Sequence, residues 1–241
     1  MAIAHFGSLE TQGYLDGSRF DENVTFKYEF QMPVRSRTDL LLELTAGKRI
    51  LHIGCCDHIP ALPEKIAGGT WLHGTLAEHG TNCVGIDIDP EAVGLARSLS
   101  GLTNIFHGDV TAKDSKIRQI SSGLFDYAVF GEVLEHVGNP VNFLQSFISL
   151  YKSNIVRIII TVPNAFRAGN VKNILRCRET INSDHRFFFT PFTLCKVAWD
   201  AGLRPISVQT ALYSQAGRFK RSVINRFPLL AEDLVYVGIP R

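Results

Sequence analysis

No apolar run in the sequence approaches the roughly 20 residues that a membrane-crossing helix requires. The longest, such as IVRIIITV at residues 155–162, are the length of a strand. The N-terminus lacks a basic segment followed by an apolar core, so no secretory signal is expected. The five cysteines (Cys55, Cys56, Cys83, Cys177 and Cys195) form no CxxC pair and no Cys/His comb. Structural zinc is therefore not expected, nor is any other metal, and the odd count fits a reducing cytoplasm. Internal repeats, low-complexity tracts and linker composition are also missing, which argues for one domain over residues 1–241.

What is present suits a folded globular chain. Of 241 residues, 45% are hydrophobic and 20% charged, enough to bury a core without crosslinks. The net charge of +2 hides an asymmetry. Residues 1–150 carry 11 basic and 18 acidic side chains, a net −7, and residues 151–241 carry 14 and 5, a net +9. The basic third would suit an anionic substrate, a membrane surface or nucleic acid, or is simply a solvated face.

Residues 1–38 are rich in aromatics (Phe6, Tyr14, Phe20, Phe26, Tyr28, Phe30) without a clear period, and read as a cap. Tyr14, Tyr28 and Arg35 are the residues there to watch for closure over a ligand. From residue 39 the pattern alternates. Helices are predicted at 39–44, 70–79, 90–99, 113–120 and 140–151, and strands at 49–54, 82–87, 104–107, 125–130 and 155–162. This core, residues 39–163, reads as an α/β doubly wound parallel sheet. Residues 164–241 read as substrate-side elements, with a helix at 190–201 and strands at 204–210 and 234–237. The basic stretch 217–230 reads as a connection or an interfacial helix, and Trp71 and Trp199 as core.

Ligands of such sheets bind at the carboxyl ends of the strands. The first strand ends in HIGCCDH, where Gly54 permits a tight turn but no GxGxxG follows, which disfavours a nicotinamide-dependent oxidoreductase. The second ends in GIDID. Asp87 can accept both hydroxyls of a ribose, Ile88 can cover a purine, and Asp89 is the better helix cap. After the third, Asp109 and the Val110 N–H can hold an adenine edge, or Asp109 is an ordinary loop residue. After the fourth, Gly131, Glu132, Glu135 and His136 cluster. His136 is a candidate general base, or it braces a loop together with Glu135.

Together these strand ends resemble a class I S-adenosylmethionine-dependent methyltransferase. GIDIDPEAVGLAR (85–97), the Gly108–Asp109 pair, FDYAVFGEVLEHVGNP (125–140) and FFTPFTLCKVAWDAGL (188–203) match the family's later motifs. The resemblance implies a Rossmann-like seven-stranded sheet with an antiparallel last strand, and S-adenosyl-L-methionine as cofactor. It implies a cofactor site of His52, Gly54, Cys55, Cys56, Asp57, Asp87, Ile88, Asp109, Val110, Gly131 and Glu132. His52 stands where the family's first motif has an acid, and Cys56 and His58 replace two of its glycines; Asp57 could answer the cofactor's ammonium. His185 comes from a loop that often faces the acceptor, and with His136 forms the catalytic pair expected here; Glu132 and His58 are further basic candidates.

GEVL after the fourth strand, in place of a (D/N/S)PP(Y/F) motif, disfavours methylation of base amines, and double-stranded nucleic acid is not an expected partner. The expected acceptor is a small molecule or a saccharide, methylated on a hydroxyl or an amine. Arg167, Lys172, Arg176, Arg178 and Arg186 would hold a phosphate on it. The alternatives are a non-catalytic binding protein, an RNA methyltransferase acting elsewhere than on base amines, and, more weakly, peripheral membrane contact.

Overall fold

In a computed structural model, residues 9–30, 32–80, 82–113, 123–213 and 217–241 are described. The predicted helix at 113–120 falls almost wholly outside them. Seven strands, β1 (Arg49–Ile53), β2 (Asn82–Asp87), β3 (Ile105–His107), β4 (Phe125–Gly131), β5 (Ile155–Pro163), β6 (Leu203–Ala211) and β7 (Asp233–Pro240), form one sheet. Their order is β3-β2-β1-β4-β5-β7-β6. The first five run parallel, and β7 lies antiparallel between β5 and β6, which gives the Rossmann-like arrangement expected. The strand order reverses between β1 and β4, so a crevice opens at their carboxyl ends.

Strand alternation sends β1 side chains to two cores. Leu51 and Ile53 join Ile86, Phe130 and Phe147 on one face, and Ile50 joins Leu76, Val129 and Ile159 on the other. The helices that cover them start at caps written in the sequence. In α5 (Pro90–Ser100), Asp89 accepts from the N–H groups of Glu91 and Ala92, and left-handed Gly101 closes the helix. In α6 (Pro140–Tyr151), Asn139 caps Asn142 N–H while Leu144, Phe147, Ile148 and Tyr151 face the sheet. In α8 (Pro191–Asp200), Thr190 and Thr193 form a reciprocal capping box.

The remaining helices are α1 (Leu9–Asp16), α2 (Arg37–Thr45), α3 (Leu62–Ala67), α4 (Leu72–His79), α7 (Ala168–Ile174) and α9 (Arg218–Arg226). Of these, α1, α3 and α7 are not anticipated, and α9 falls in the stretch read as a connection or an interfacial helix. They are short or mostly polar, and tertiary contact rather than periodicity fixes them. The N-terminal cap lies along α8: Leu15 is buried, Phe26 stacks on Phe192 at 4.7 Å, and Lys196 donates to the Tyr14 carbonyl. Among the described residues, no helix is long and apolar enough to cross a membrane.

Candidate functional site at the strand ends

The turn after β1 is built around Gly54, whose φ is +65°. A Cβ there would fall 2.5 Å from Val133 Cγ2, so both backbone and space require glycine. The N–H groups of Gly54 and Cys55 reach back to the Ile86 carbonyl. Cys56 N–H then donates to Asp87 Oδ2 at 2.8 Å, and Asp89 N–H donates to Oδ1 at 3.1 Å. Asp87 is thus a buried carboxylate held from both sides at the end of β2. Burial pushes its pKa up, and these backbone donors pull it down. Beside it, Ile88 is 70% exposed, an apolar face without cover. Asp109 spends Oδ1 on Thr111, whose N–H and hydroxyl donate to it at 2.8 and 2.7 Å. Val110 is buried in the core.

Three expected cofactor contacts sit differently. Asp57 forms an ion pair with Lys65 of α3, so its charge is already answered. His52 is 1% exposed, on the face of β1 that it shares with Ile50 and that α4 covers. Its Nδ1 lies 3.3 Å from His73 Nδ1. Burial first, and each other's proximity for His52, push these imidazoles below their usual range, His73 to about 4. Cys55 is buried, which raises its thiol pKa; only its backbone takes part in the turn. Gly131 packs its α-carbon against Leu72 and His52, where a Cβ would meet Leu72 Cδ2 at 2.8 Å.

Glu132, the next residue, holds a left-handed φ of +59°. Its carboxylate pairs with Arg37 Nη1 at 2.6 Å, and Asp233 Oδ2 lies 3.8 Å from the same nitrogen. Burial drives Asp233 up to about 8, Glu132 adds to the rise and Arg37 opposes it. The Arg37 guanidinium also lies over the Tyr213 ring at 4.7 Å. Sequence reasoning watched Arg35, which pairs with Glu43 on the surface, and missed Arg37. The signal available was a basic residue at the first position of a helix that carries a Leu40–Leu42 run.

The short 3-10 turn Leu134–His136 follows. Glu135 is fully buried, and burial raises its carboxyl to about 8. His136 meets the His185 ring edge to face at 4.6 Å and the His58 ring at 5.8 Å. His136 and His185 are both lowered, first by burial, then by a neighbouring histidine. The 185 loop is tied to the turn through Arg186. Its N–H donates to the Glu135 carbonyl at 2.7 Å and its guanidinium to the His136 carbonyl.

A methyltransferase-domain model matches residues 27–208, three quarters of the chain. The chain belongs to this methyltransferase-domain family. The donor of the class is S-adenosylmethionine. A ubiquinone biosynthesis O-methyltransferase of Aeromonas salmonicida is 28% identical over 164 residues, which span 65% of this chain and 63% of that protein. One from Paraburkholderia phymatum is also 28% identical, over 83% of each chain. The structure of magnesium protoporphyrin IX methyltransferase from Synechocystis PCC 6803, with bound S-adenosyl-L-homocysteine, shares the fold. It superposes with a TM-score of 0.52 at 15% identity, over 98% of this chain and 97% of that one.

The methyltransferase does not gather its five C-terminal cations into one clamp. Arg186 is committed to His136, and Arg167 donates to Asn170 Oδ1 at 2.9 Å and to the Thr180 carbonyl. Lys172 and Arg176 line a separate cleft of about 390 Å³ between α7 and Leu230. Two of the five are thus engaged within the protein, Arg167 in its own loop and Arg186 across to the turn after β4.

The strand ends suit the donor's nucleoside half. A held carboxylate, an uncovered isoleucine and a glycine turn are the groups a ribose, a purine and a closely approaching chain require.

Proposed function

We propose that this methyltransferase transfers a methyl group to a hydroxyl oxygen of a small molecule. The carrying observation is that two half-buried imidazoles, His136 and His185, stand in contact beside the turn that leaves β4, next to the β1 and β2 ends. The names of the similar O-methyltransferases favour oxygen over nitrogen. Asp87 would accept the ribose hydroxyls, Ile88 would cover the adenine, and Asp109 with Val110 N–H would read its edge. The backbone of Gly54 to Cys56 would run beneath the amino-acid end. The bound donor supplies a methyl group already activated on a sulfonium, so the chain's own work is positioning and proton removal.

The turn at Glu132 and the loop at His185 form the wall on which an acceptor oxygen would be aimed. Lowered imidazoles are neutral near pH 7, so either can take the hydroxyl proton as the oxygen attacks. A saccharide or a phenolic ring satisfies this chemistry equally.

The test is calorimetric titration with S-adenosylmethionine, for the wild type and Asp87→Ala. Loss of two charge-assisted hydrogen bonds should weaken binding about 100-fold. A screen of phenols, catechols and sugar nucleotides with labelled donor then reads the acceptor. A second reading, a fold that binds without turnover, is favoured by the engaged Asp57 and by the Cys56 substitution. A wild type that does not bind the donor would move that reading to the front.

A further inference from the structure

We propose that Cys55, Cys56 and Asp87 form a binding site for one soft divalent ion of the zinc group, and that the ion and the methyl donor exclude one another there. One ligand atom from each residue lies within 4.8 Å of the other two. The two sulfurs are 3.9 Å apart. Two Zn–S bonds of about 2.3 Å at a tetrahedral angle need sulfurs about 3.8 Å apart, so the pair suits an ion as it stands. A disulfide suits it less. The sulfurs would have to close to about 2.05 Å, between adjacent α-carbons about 3.8 Å apart, below the usual window of about 4.4–6.8 Å.

The turn after β1 holds all three groups in place. Gly54 and Cys55 N–H reach back to the Ile86 carbonyl, and the Trp71 indole donates to the Cys55 carbonyl at 2.9 Å. Cys56 N–H donates to Asp87 Oδ2 at 2.8 Å, which ties the second thiol's backbone to the carboxylate. Cys55 is buried and Cys56 half-buried, so the pair is reached from the Cys56 side. Lys65 of α3 is spent on Asp57, and among the described residues no basic side chain pairs with Asp87. Cys56 creates the pair, because it stands where the family's first motif has a glycine. Two thiolates and a carboxylate suit Zn²⁺ and its heavier congener Cd²⁺, whereas calcium and magnesium prefer all-oxygen sets. Each thiol gives its proton to solvent as its sulfur binds, two protons per ion, and a fourth position stays open to water.

The exclusion rests on the proposed role of Asp87 as acceptor of the ribose hydroxyls. A carboxylate turned onto the ion is not free to receive the ribose. Occupation of the site by a soft metal would therefore shut the donor cradle, and removal of the metal would reopen it.

The experiment is titration of reduced, chelator-treated full-length protein with Cd²⁺, followed by the ultraviolet cadmium–thiolate charge-transfer band, with Zn²⁺ as competitor. One ion per chain is expected. The band reads sulfur ligation alone, so ions held by histidines do not register. Cys55→Ser and Cys56→Ser should each weaken binding at least about 100-fold, since even outer-shell losses cost about 10–100-fold. Asp87→Ala should keep the band and weaken binding at least about 10-fold. Cys177→Ser, at an exposed thiol outside the site, should change nothing. Circular dichroism checks folding, and if the buried variant Cys55→Ser does not fold, Cys56→Ser decides. No band in the wild type, or an equal band in Cys56→Ser, overturns the site, and unchanged affinity in Asp87→Ala overturns its third ligand. Added S-adenosylmethionine should weaken Cd²⁺ binding in proportion to its concentration. A band unmoved by donor, in protein that calorimetry shows to bind the donor, overturns the exclusion. Protein that binds Cd²⁺ but no donor fails the proposed function and leaves the ion site standing.

Discussion

The proposed donor side and the proposed acceptor side of the cleft are built on opposite plans. On the donor side, the carboxylates are satisfied by backbone N–H groups: Asp87 takes two, Asp89 caps α5, and Asp109 closes its own turn. On the acceptor side, ionisable groups are buried together and meet across the chain: Arg37 with Glu132 and Asp233, Glu135 beside His136 and His185. Backbone donors yield a rigid cradle, and side chains that meet across the chain yield a wall whose integrity depends on single residues.

The sharpest way to break that contrast is Arg37→Ala. The substitution leaves Asp233, which is 2% exposed, without its cation, and frees Glu132 from its left-handed tether. Removing one partner of a buried charge cluster costs about 3–5 kcal/mol. Denaturant unfolding should register a loss of that size, while S-adenosylmethionine affinity of the folded fraction holds. A loss under about 1 kcal/mol, typical of an exposed pair, would mean that the acceptor wall does not rest on Arg37.

The donor side has one buried ionisable pair of its own, His52 and His73, packed beneath the cradle. His73 falls from 6.5 to about 4 on folding, so the unfolded chain binds its proton first. Its contribution is fully present above pH 6.5 and is lost as pH drops toward 4. The loss is on the order of 3 kcal/mol at the lower end. His52 shifts in the same direction. His73→Gln keeps a polar partner for His52 and should flatten the stability profile over that window. Parallel slopes for the two proteins would refute the assignment.

The two sides also differ in how much of them the sequence discloses. The strands, α5, α6 and α8 are legible because Pro90, Pro140 and Pro191 follow capping residues and apolar periods are clean. Asp89 is the helix cap that the sequence makes it, because a cap is a local event, whereas the Cys56 N–H that holds Asp87 comes from a turn 31 residues away. His52 was placed by motif position and not by strand parity, which turns it toward His73. Asp57 gave no sign of Lys65, since α3 itself is short and weakly patterned. Arg37 and the Glu135 cluster depend on segments more than 40 residues apart, and no spacing in the sequence announces their meeting.

A smaller effect comes from Gly54→Ala, which acts where the two sides touch. The new Cβ meets a side chain of the turn after β4, Val133 Cγ2, at 2.5 Å and holds alanine at φ +65°. Strain and overpacking together should cost about 2 kcal/mol. Adding Val133→Ala removes the clash but not the backbone strain, so the double variant should recover roughly half of the loss in thermal melts. Full recovery would show that φ is not strained, and none would show that the turn does not lean on Val133.

The smallest effect is expected in the N-terminal segment, which touches the acceptor side from outside. Phe26 stacks on Phe192 with ring planes 18° apart, just after the Thr190 cap of α8. Phe26→Leu keeps apolar volume and removes the aromatic pair, a loss of about 1 kcal/mol. The segment lies on α8 and the Leu212 end of β6, so the variant should leave S-adenosylmethionine binding unchanged. Its effect should surface instead as a raised KM for the acceptor, because the segment that follows His185 leads into the Thr190 cap of α8. A shift in donor affinity would mean that the aromatic cap closes over the cradle, and the division between a backbone-held donor side and a dependent acceptor side would no longer hold.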